Sequence, residues 1–280
     1  MYDLTHVPDP AMLATLEVLC IELAEEAGRF IRDERPTGLD VAATKTTETD
    51  VVTEMDHRSE ELLHGRIRAL RPDDGILGEE GADVAGTSGL TWVIDPIDGT
   101  VNYLYEIPAY AVSVAVVVGD PQLEGAWRPL AGAVSDPCRR LVHHARVGGG
   151  ARTRAEGVPD DPGTQLTVST EDTVARALLA TGFGYSEEKR REQAGILMRV
   201  LPAVRVIRRI GSAALDLVRV ANGSVDAYAE SGINAWDLAA GWVIVEESGG
   251  VVTGRSGHPG KALTVAAPPA LVAPVRDLFL

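Results

Sequence analysis

The sequence predicts a mixed α/β (α+β) protein with a strand-rich first half and an α/β second half. Apolar residues recur at helical spacing over residues 9–33 and from about residue 53 to residue 70, which predicts two helices at the start. Short apolar runs separated by Gly, Pro and Asp then follow one another, which is typical of a largely antiparallel sheet. After the glycines at 148–150, strand and helix patterns alternate, which favours an α/β arrangement.

Each half has its own set of predicted elements. The strands of the first half are predicted at GILGEE, TWVIDP, YAVSVAVVV, PLAGAVSD and RRLVHHARV. In the second half, strands are predicted at ALLATG, VRVI and VDAYAE, and helices near 187–201, 211–222 and 236–248. The glycines of RVGGGARTR lack the Lys-Ser/Thr ending of a phosphate-binding P-loop, so they predict a hairpin turn.

The chain of 280 residues is long enough to bury a substantial core. We place an approximate boundary between the two halves at 145–165, where the strand-rich pattern changes to alternating strands and helices. No linker of disordered composition lies there. We therefore predict a single domain over residues 1–280 with two subdomains, residues 1–150 and 151–280, that share one active cleft.

The charge balance argues against a nucleic-acid partner. Lys and Arg number 26 against 41 Asp and Glu, a formal net charge of -15, so the average surface field repels phosphate-bearing molecules. If the substrate is an anion, a positively charged group other than the side chains must bind it.

Cysteine use and hydropathy indicate a cytoplasmic protein with no membrane attachment. Cys20 and Cys138 lie far apart without metal-ligand spacing, and Cys20 falls inside an apolar helical pattern as a reduced core residue would. The N-terminal residues lack the basic and apolar regions of a leader, and the apolar run from Ile107 to Gly119 is too short to span a bilayer.

The stretch WVIDPIDGT, residues 92–100, brings two aspartates to the end of a predicted buried strand. One cation-binding site can form where three oxygen ligands converge, from Asp95, the Ile97 carbonyl and Asp98. The amides of Gly99 and Thr100 can point outward, so an anion-binding site would lie beside it. The alternative is structural: Asp98 caps the next helix and Asp95 closes an Asx-turn. This stretch alone leaves both interpretations open.

Three further segments place acids near element ends. They are GEEG at 78–81, DVVT at 50–53 and the Trp-Asp pair at 236–237. Capping boxes are the structural alternative, since Thr53 with Asp56 and Asn234 with Asp237 have the required spacing. Several carboxylates in one cleft would repel one another strongly unless divalent ions lay between them. Ligands made only of oxygen select Mg²⁺ or Mn²⁺ over Zn²⁺.

Five segments together resemble the inositol monophosphatase family, in the order and at the separations typical of it. They are KTTETDVVTEMD (45–56), GEE (78–80), WVIDPIDGTVNY (92–103), RIGSAALDL (209–217) and ESGINAWDLAAG (230–241). DGTVNY departs from the commonest DGTTNF at Val101 and Tyr103, and neither change removes a ligand. The resemblance implies a layered αβαβα sugar-phosphatase-like fold, a homodimer and sensitivity to lithium.

The resemblance also implies roles for individual residues. Glu79, Asp95 and the Ile97 carbonyl would hold one Mg²⁺, Asp95, Asp98 and Asp237 a second, and a weaker third ion would lie next to Glu79, with Mn²⁺ as a substitute. Thr100, hydrogen-bonded to Asp50, would orient the attacking water with Glu79. The substrate would contact Asp98, Gly99, Thr100, Ala213, Glu230 and Asp237. Lys45 would be a helper near the site.

The resulting expectation is a magnesium-dependent phosphatase for a small phosphorylated alcohol, with inositol monophosphate as the leading substrate. Histidinol phosphate and fructose 1,6-bisphosphate are the alternatives among substrates. A regulatory binding protein of the transcription machinery is the alternative outside enzymes. Arg205, Arg208 and Arg209 form a basic patch that either orients an anionic substrate or lies at a subunit contact.

Overall fold

The computed structural model describes residues 8–38, 43–44, 51–81, 83–158 and 161–280. The helices of this part of the chain are α1 (Pro10–Asp33), α2 (Glu54–Leu70), α3 (Thr100–Leu104), α4 (Glu187–Val200), α5 (Ala213–Ala221), α6 (Ala235–Glu247) and α7 (Pro269–Phe279). The strands are β1 (Ala43–Thr44), β2 (Val51–Val52), β3 (Gly75–Gly78), β4 (Leu90–Asp98), β5 (Ala111–Gly119), β6 (Trp127–Asp136), β7 (Leu141–Arg146), β8 (Gly150–Ala155), β9 (Thr164–Gln165), β10 (Leu178–Ala180), β11 (Val206–Arg208), β12 (Ala227–Glu230), β13 (Val251–Thr253) and β14 (Thr264–Ala267).

The first large sheet has seven strands in the order β3-β4-β5-β6-β7-β8-β9. The pair β3-β4 is parallel and every other neighbouring pair is antiparallel, which confirms the predicted largely antiparallel sheet. The turn between β7 and β8 is the predicted glycine hairpin, closed by a bond from the Gly149 amide to the Arg146 carbonyl.

The second large sheet has five strands in the order β11-β10-β12-β14-β13. Strand β10 is parallel to both of its neighbours, β11 and β12. Strand β14 is antiparallel to both of its neighbours, β12 and β13. The parallel strands alternate with α4 and α5 along the chain, as the α/β pattern of the second half predicts.

The two sheets and the helices form five layers. Helices α1 and α2 cover one face of the seven-stranded sheet, α5 and α6 lie between the sheets, and α4 and α7 cover the outer face of the five-stranded sheet. Three hydrophobic clusters fill the spaces between these layers. The predicted αβαβα arrangement is therefore confirmed. Because α6 packs on the sheet of the first half, we propose that the two subdomains form one domain.

Helix α1 shows why the predicted elements form where they do. Asp9 is its N-cap and accepts hydrogen bonds from the amides of Ala11 and Met12, both at 2.9 Å, and Pro10 occupies the first helical position. Most of its apolar residues are buried against the sheet, and Cys20 is fully buried, as the sequence predicts. Leu19 and Phe30 are partly buried, and Val18 is exposed. None of the helices in the described ranges is long and apolar enough to span a bilayer.

The central layer packs so closely on the first sheet that a side chain is excluded at Gly132 of β6. A Cβ built there would lie 2.8 Å from the Ala240 Cα of α6. Since the neighbour is helix backbone, it can move only if α6 itself shifts. This contact matters for the site because α6 carries Asp237 at its start.

We predict that Gly132→Ala lowers the free energy of unfolding by about 1–3 kcal/mol, because the added methyl overpacks this interface. Urea denaturation measures the change. The matched control is Gly65→Ala in α2, where a Cβ meets nothing within 4 Å and the residue is exposed. The control variant should gain up to about 1 kcal/mol, since alanine is the better helix former. Equal effects of the two substitutions would contradict this prediction.

Candidate active site

A cleft of about 640 Å³ gathers residues from both halves of the chain. The end of β4 supplies Asp95, Ile97 and Asp98, the segment after β3 supplies Glu79, and the first turn of α6 supplies Asp237. Gly99, Thr100, Ala213 and Glu230 also line it. The residues that the sequence singles out within the described ranges therefore lie in one cleft.

A bulge at the end of β4 brings its two aspartates together. Asp95 pairs with Ser113 and Asp98 pairs with Ala111, so β4 has one residue more than β5 between these points. Pro96 lies inside this stretch and has no amide hydrogen for the ladder, which explains why the regular pairing breaks there.

Three of the acids meet at one point. Asp95, Asp98 and Asp237 each offer a carboxylate oxygen within 4.8 Å of the others. Asp95 and Asp98 are buried, at 1% and 7% exposure, and Asp237 is half-buried. Glu79 is half-buried and close enough to Asp95 to interact with it electrostatically.

Burial and mutual repulsion raise the pKa of these acids. Burial has the largest effect on the pKa of Asp95, and the charges of Glu79, Asp98 and Asp237 raise it further. Burial also raises the pKa of Asp237, with added effects from Asp98 and Glu79. A divalent cation among them would relieve this repulsion. The donors are all oxygens, so the residues present fit a hard cation such as Mg²⁺ or Mn²⁺.

Asp98 is held by the start of helix α5. The Ser212 hydroxyl and the Ala214 amide donate to Asp98 Oδ2, at 2.6 and 2.7 Å, and the Ala213 amide donates to Oδ1 at 3.3 Å. The structural alternative that Asp98 caps the next helix is wrong, since the N-cap of α3 is Gly99 and makes no side-chain cap bond. Sequence reasoning missed Ser212, whose N-cap position before the helical pattern was the available signal.

Asp95 and Asp237 have structural bonds as well as places in the acid cluster. The Ile97 amide donates to Asp95 Oδ1 at 3.1 Å, which is the expected Asx-turn. The Asn234 amide donates to Asp237 Oδ2 at 2.6 Å within a capping box. A carboxylate has two oxygens with about four lone-pair sites, so one backbone bond leaves room for a metal. The structural and functional interpretations are therefore compatible.

Thr100 lies at the start of α3 and is buried. Its hydroxyl lies 2.9 Å from Asp56 Oδ1 and 3.1 Å from the Ile97 carbonyl oxygen, and its one proton can be donated to either acceptor. Asp56 also forms the predicted capping box with Thr53. The contact of Asp56 with Thr100 was missed because the sequence analysis gave Asp56 only the capping role. Asp50 and Lys45 lie outside the described residues.

Gly99 is needed where the chain turns from β4 into α3. Its φ of 97° is in the left-handed region, and a Cβ there would lie 3.0 Å from the Gly211 carbonyl oxygen. This close approach brings the Gly99-Thr100 turn against the segment that precedes α5. The turn and Ala213 therefore line the same part of the cleft.

The cleft also carries Glu230, at the end of β12. The Tyr228 hydroxyl donates to Glu230 Oε2 at 2.9 Å. Burial raises the pKa of Glu230 to about 7, against the opposing effects of Tyr228 and the Arg209 charge. Asp216 lines the cleft too, and burial raises its pKa to about 7; sequence reasoning missed it because it reads as a helix residue.

The basic patch is exposed, and one of its members lines the cleft. Arg205, Arg208 and Arg209 are all exposed, and of these three Arg209 is the one that lines the cleft. Lys189 and Lys261 line the cleft too, from α4 and from the segment before β14. The Arg209 charge opposes the rise in the pKa of Asp98, so a positive side chain lies within electrostatic reach of the acid cluster.

Comparisons with known proteins agree on one family. The model of the inositol monophosphatase family matches residues 12–276. The inositol-1-monophosphatase of Mycobacterium leprae is 46% identical over 274 residues, which cover 91% of this chain and 90% of that protein. The Nus factor SuhB of Escherichia coli K12 is 34% identical over 268 residues, which cover 92% of this chain and 95% of that protein.

A solved structure agrees with the family match. The structure of Mycobacterium tuberculosis SuhB superposes with a TM-score of 0.76 at 40% sequence identity and covers 95% of each chain. The match extends over both halves and both sheets. The chain therefore belongs to the inositol monophosphatase family and is a phosphoric monoester hydrolase.

Proposed function

We propose that the protein hydrolyses the phosphate ester of a small polyol, with inositol monophosphate as its leading substrate and Mg²⁺ as its cofactor. The observation that carries this proposal is the meeting of Asp95, Asp98 and Asp237 at one point of a cleft, beside Glu79 and the Gly99-Thr100 turn. A net charge of -15 would otherwise repel the phosphate.

The proposed ligand sets follow the resemblance and are supported by the placement of the acids. Glu79, Asp95 and the Ile97 carbonyl would hold one Mg²⁺, Asp95, Asp98 and Asp237 a second, and a weaker third would lie next to Glu79, with Mn²⁺ as a substitute. When bound, the ions neutralise phosphate charge and make a coordinated water more acidic.

The residues of the chain position the reactants. Thr100 and Glu79 would orient the attacking water, and Asp56 holds the Thr100 hydroxyl as an acceptor. Following the resemblance, Asp50 is proposed as a hydrogen-bond partner of Thr100, and Lys45 as a helper. The Gly99 and Thr100 amides would hold phosphate oxygens at the start of α3. No protein nucleophile is needed, since most of the catalysis comes from placement and charge neutralisation.

The alcohol part of the substrate would lie against Glu230 and Ala213, which both line the cleft. A carboxylate there favours an alcohol with several hydroxyls, since it accepts hydrogen bonds from them. The name of the Mycobacterium leprae relative supports inositol 1-phosphate. Histidinol phosphate and fructose 1,6-bisphosphate remain the alternatives.

A second candidate function is regulatory binding within the transcription machinery. It is favoured by the name of the Escherichia coli relative, Nus factor SuhB. The buried acids favour the enzyme, because a binding protein gains nothing from a repulsive cluster inside a cleft.

We further propose a lithium-sensitive homodimer, as the resemblance implies, and a cytoplasmic location, as cysteine use and hydropathy indicate. The exposed side chains of Met198, Leu201 and Val206 support the dimer, since they leave apolar surface on α4, on β11 and between them. Sedimentation equilibrium and inhibition by lithium chloride are the measurements that check these properties.

We predict that Asp95→Asn lowers kcat/KM for inositol 1-phosphate by more than about 100-fold, since even outer-shell partners of a metal ligand contribute about 10–100-fold. The fold should be retained, because asparagine keeps an oxygen for the Ile97 amide. Phosphate release and circular dichroism measure the two effects. The control is Asp73→Asn, an exposed acid outside the cleft. Undiminished turnover in Asp95→Asn would show that the ligand assignment is wrong.

We predict that Mg²⁺ raises the melting temperature more at about pH 8 than at about pH 5.5. The pKa values of Asp95, Asp98 and Asp237 are raised in the folded protein, so the metal-free fold loses stability as pH rises through those values. Mg²⁺ binds the ionised acids and removes this loss, with about 2.7 kcal/mol gained at 100 times the dissociation constant.

Differential scanning calorimetry with Mg²⁺ or with EDTA, at matched ionic strength, gives the Mg²⁺-dependent shift at each pH. Asp95→Asn should show a much smaller shift, whereas Asp73→Asn should match the wild type. A shift that is equal at both pH values, or that persists in Asp95→Asn, would contradict the proposed metal site.

We predict that inositol 1-phosphate has the highest kcat/KM in a magnesium-supplemented panel with histidinol phosphate, fructose 1,6-bisphosphate and 3'-phosphoadenosine 5'-phosphate. The expected margin is at least about 10-fold, since hydrogen-bonded recognition of hydroxyls discriminates strongly. A higher value for either alternative would replace inositol monophosphate as the substrate. Absence of turnover with all four would favour the binding role.

A further inference from the structure

Glu230 is held by a tyrosine that has no part in the proposed reaction. Tyr228 and Glu230 are two residues apart on β12, so their side chains leave the same face of the sheet. The Tyr228 hydroxyl donates to Glu230 Oε2 at 2.9 Å, and the Tyr228 side chain is fully buried. Burial and the Glu230 charge raise the pKa of Tyr228, so its hydroxyl stays a proton donor.

Gly182 provides the space that the Glu230 carboxylate occupies. It follows β10, the parallel neighbour of β12. A Cβ built on Gly182 would lie 2.1 Å from Glu230 Oε2 and 2.4 Å from both Cδ and Oε1. The φ of Gly182 is outside the left-handed region, so its backbone does not require glycine. The absence of a side chain there is therefore explained by the carboxylate alone.

Together these contacts fix Glu230 before any substrate arrives. The tyrosine supplies one donor from inside the protein, and the glycine leaves no atom between the carboxylate and the adjacent chain. The remaining lone pairs of the carboxylate are free to accept bonds at the cleft. A side chain that is already ordered loses less freedom when the ligand binds.

We propose that Tyr228 and Gly182 are positioning residues that fix Glu230 as an acceptor for hydroxyls of the substrate alcohol. They would make the cleft select phosphate esters of polyols over phosphate esters whose alcohol lacks hydroxyls. This inference rests on the proposed function, in which Glu230 contacts the alcohol.

The competing explanation is that Tyr228 only satisfies a buried hydroxyl in the core. In that case its removal would weaken the fold and lower activity toward every substrate alike. The two explanations differ in whether the effect depends on the hydroxyls of the substrate and on the presence of Glu230.

The experiment compares inositol 1-phosphate with p-nitrophenyl phosphate, an ester without alcohol hydroxyls, in the magnesium-loaded full chain. Tyr228→Phe should raise KM for inositol 1-phosphate by about 3- to 10-fold, because the Glu230 carboxylate must then be ordered when the substrate binds. Its kcat should stay within about twofold, because the lost binding is equal in the ground state and the transition state. Both constants for p-nitrophenyl phosphate should stay within about twofold as well.

Gly182→Ala should also raise the ratio of KM for inositol 1-phosphate to KM for p-nitrophenyl phosphate, because the added methyl displaces the carboxylate. Gly195→Ala in α4 is its control, since a Cβ there meets nothing within 4 Å. Tyr103→Phe is the control for the tyrosine, because Tyr103 is fully buried and its hydroxyl donates to the Ile31 carbonyl at 2.7 Å. Neither control should change the ratio of KM values.

A double-mutant cycle tests whether Tyr228 acts through Glu230. In a Glu230→Ala background, Tyr228→Phe should cause no further change in KM. If Glu230→Ala discriminates between the two esters while Tyr228→Phe and Gly182→Ala do not, this inference is overturned and the proposed function stands. If Glu230→Ala itself does not discriminate, the proposed alcohol contact is wrong and the inference falls with it. Equal losses on both esters in Tyr228→Phe would also overturn it.

Discussion

The repulsion among buried carboxylates is the constraint on which the rest of the structure depends. Asp95 and Asp98 come from β4, and Asp237 comes from a helix that begins more than a hundred residues later, yet their oxygens lie within 4.8 Å. Charges of one sign at such distances and such burial are strongly unfavourable without a counterion. In the proposed function, bound cations would reverse the local field and let a chain with a net charge of -15 receive a phosphate.

The fold holds this cluster with backbone hydrogen bonds. The Ile97 amide binds Asp95, the Ala214 amide binds Asp98, and the Asn234 amide binds Asp237. Bonds to charged acceptors of this kind contribute about 1.5–3 kcal/mol each, which offsets part of the unfavourable burial. They also orient each carboxylate. In the proposed function, the same side chains would therefore both accept backbone hydrogen bonds and bind the metal ions.

In the proposed function, phosphate hydrolysis and recognition of the alcohol fall on different elements. The seven-stranded sheet and the start of α6 carry the acid cluster, whereas Glu230 comes from the five-stranded sheet and accepts a hydrogen bond from Tyr228 of the same strand. Both sheets contribute to one cleft, and α5 and α6 lie between them.

The sequence by itself determined the elements and the types of ligand. Periodicity predicted α1, α2, α4, α5 and α6, the strands β3 to β7 of the first large sheet and β10, β11 and β12 of the second, because burial on one face of an element produces a regular pattern in the sequence. It did not predict β8, β9, β13 or β14. It also did not predict α7, whose prolines at 268, 269 and 274 hide the helical pattern. The acids at the ends of elements, with no histidine or cysteine among them, indicated a hard cation from their chemistry alone.

The tertiary structure alone decided which of these residues meet. That Asp98 is held by Ser212, that Thr100 contacts Asp56, and that Gly182 makes room for Glu230 are all contacts across long stretches of chain. No spacing in the sequence encodes them, because they arise from how the layers pack and how β4 bulges at Pro96. The sequence pattern predicts which face of its helix or strand a residue lies on. Only the packing of the elements determines which residue it contacts there.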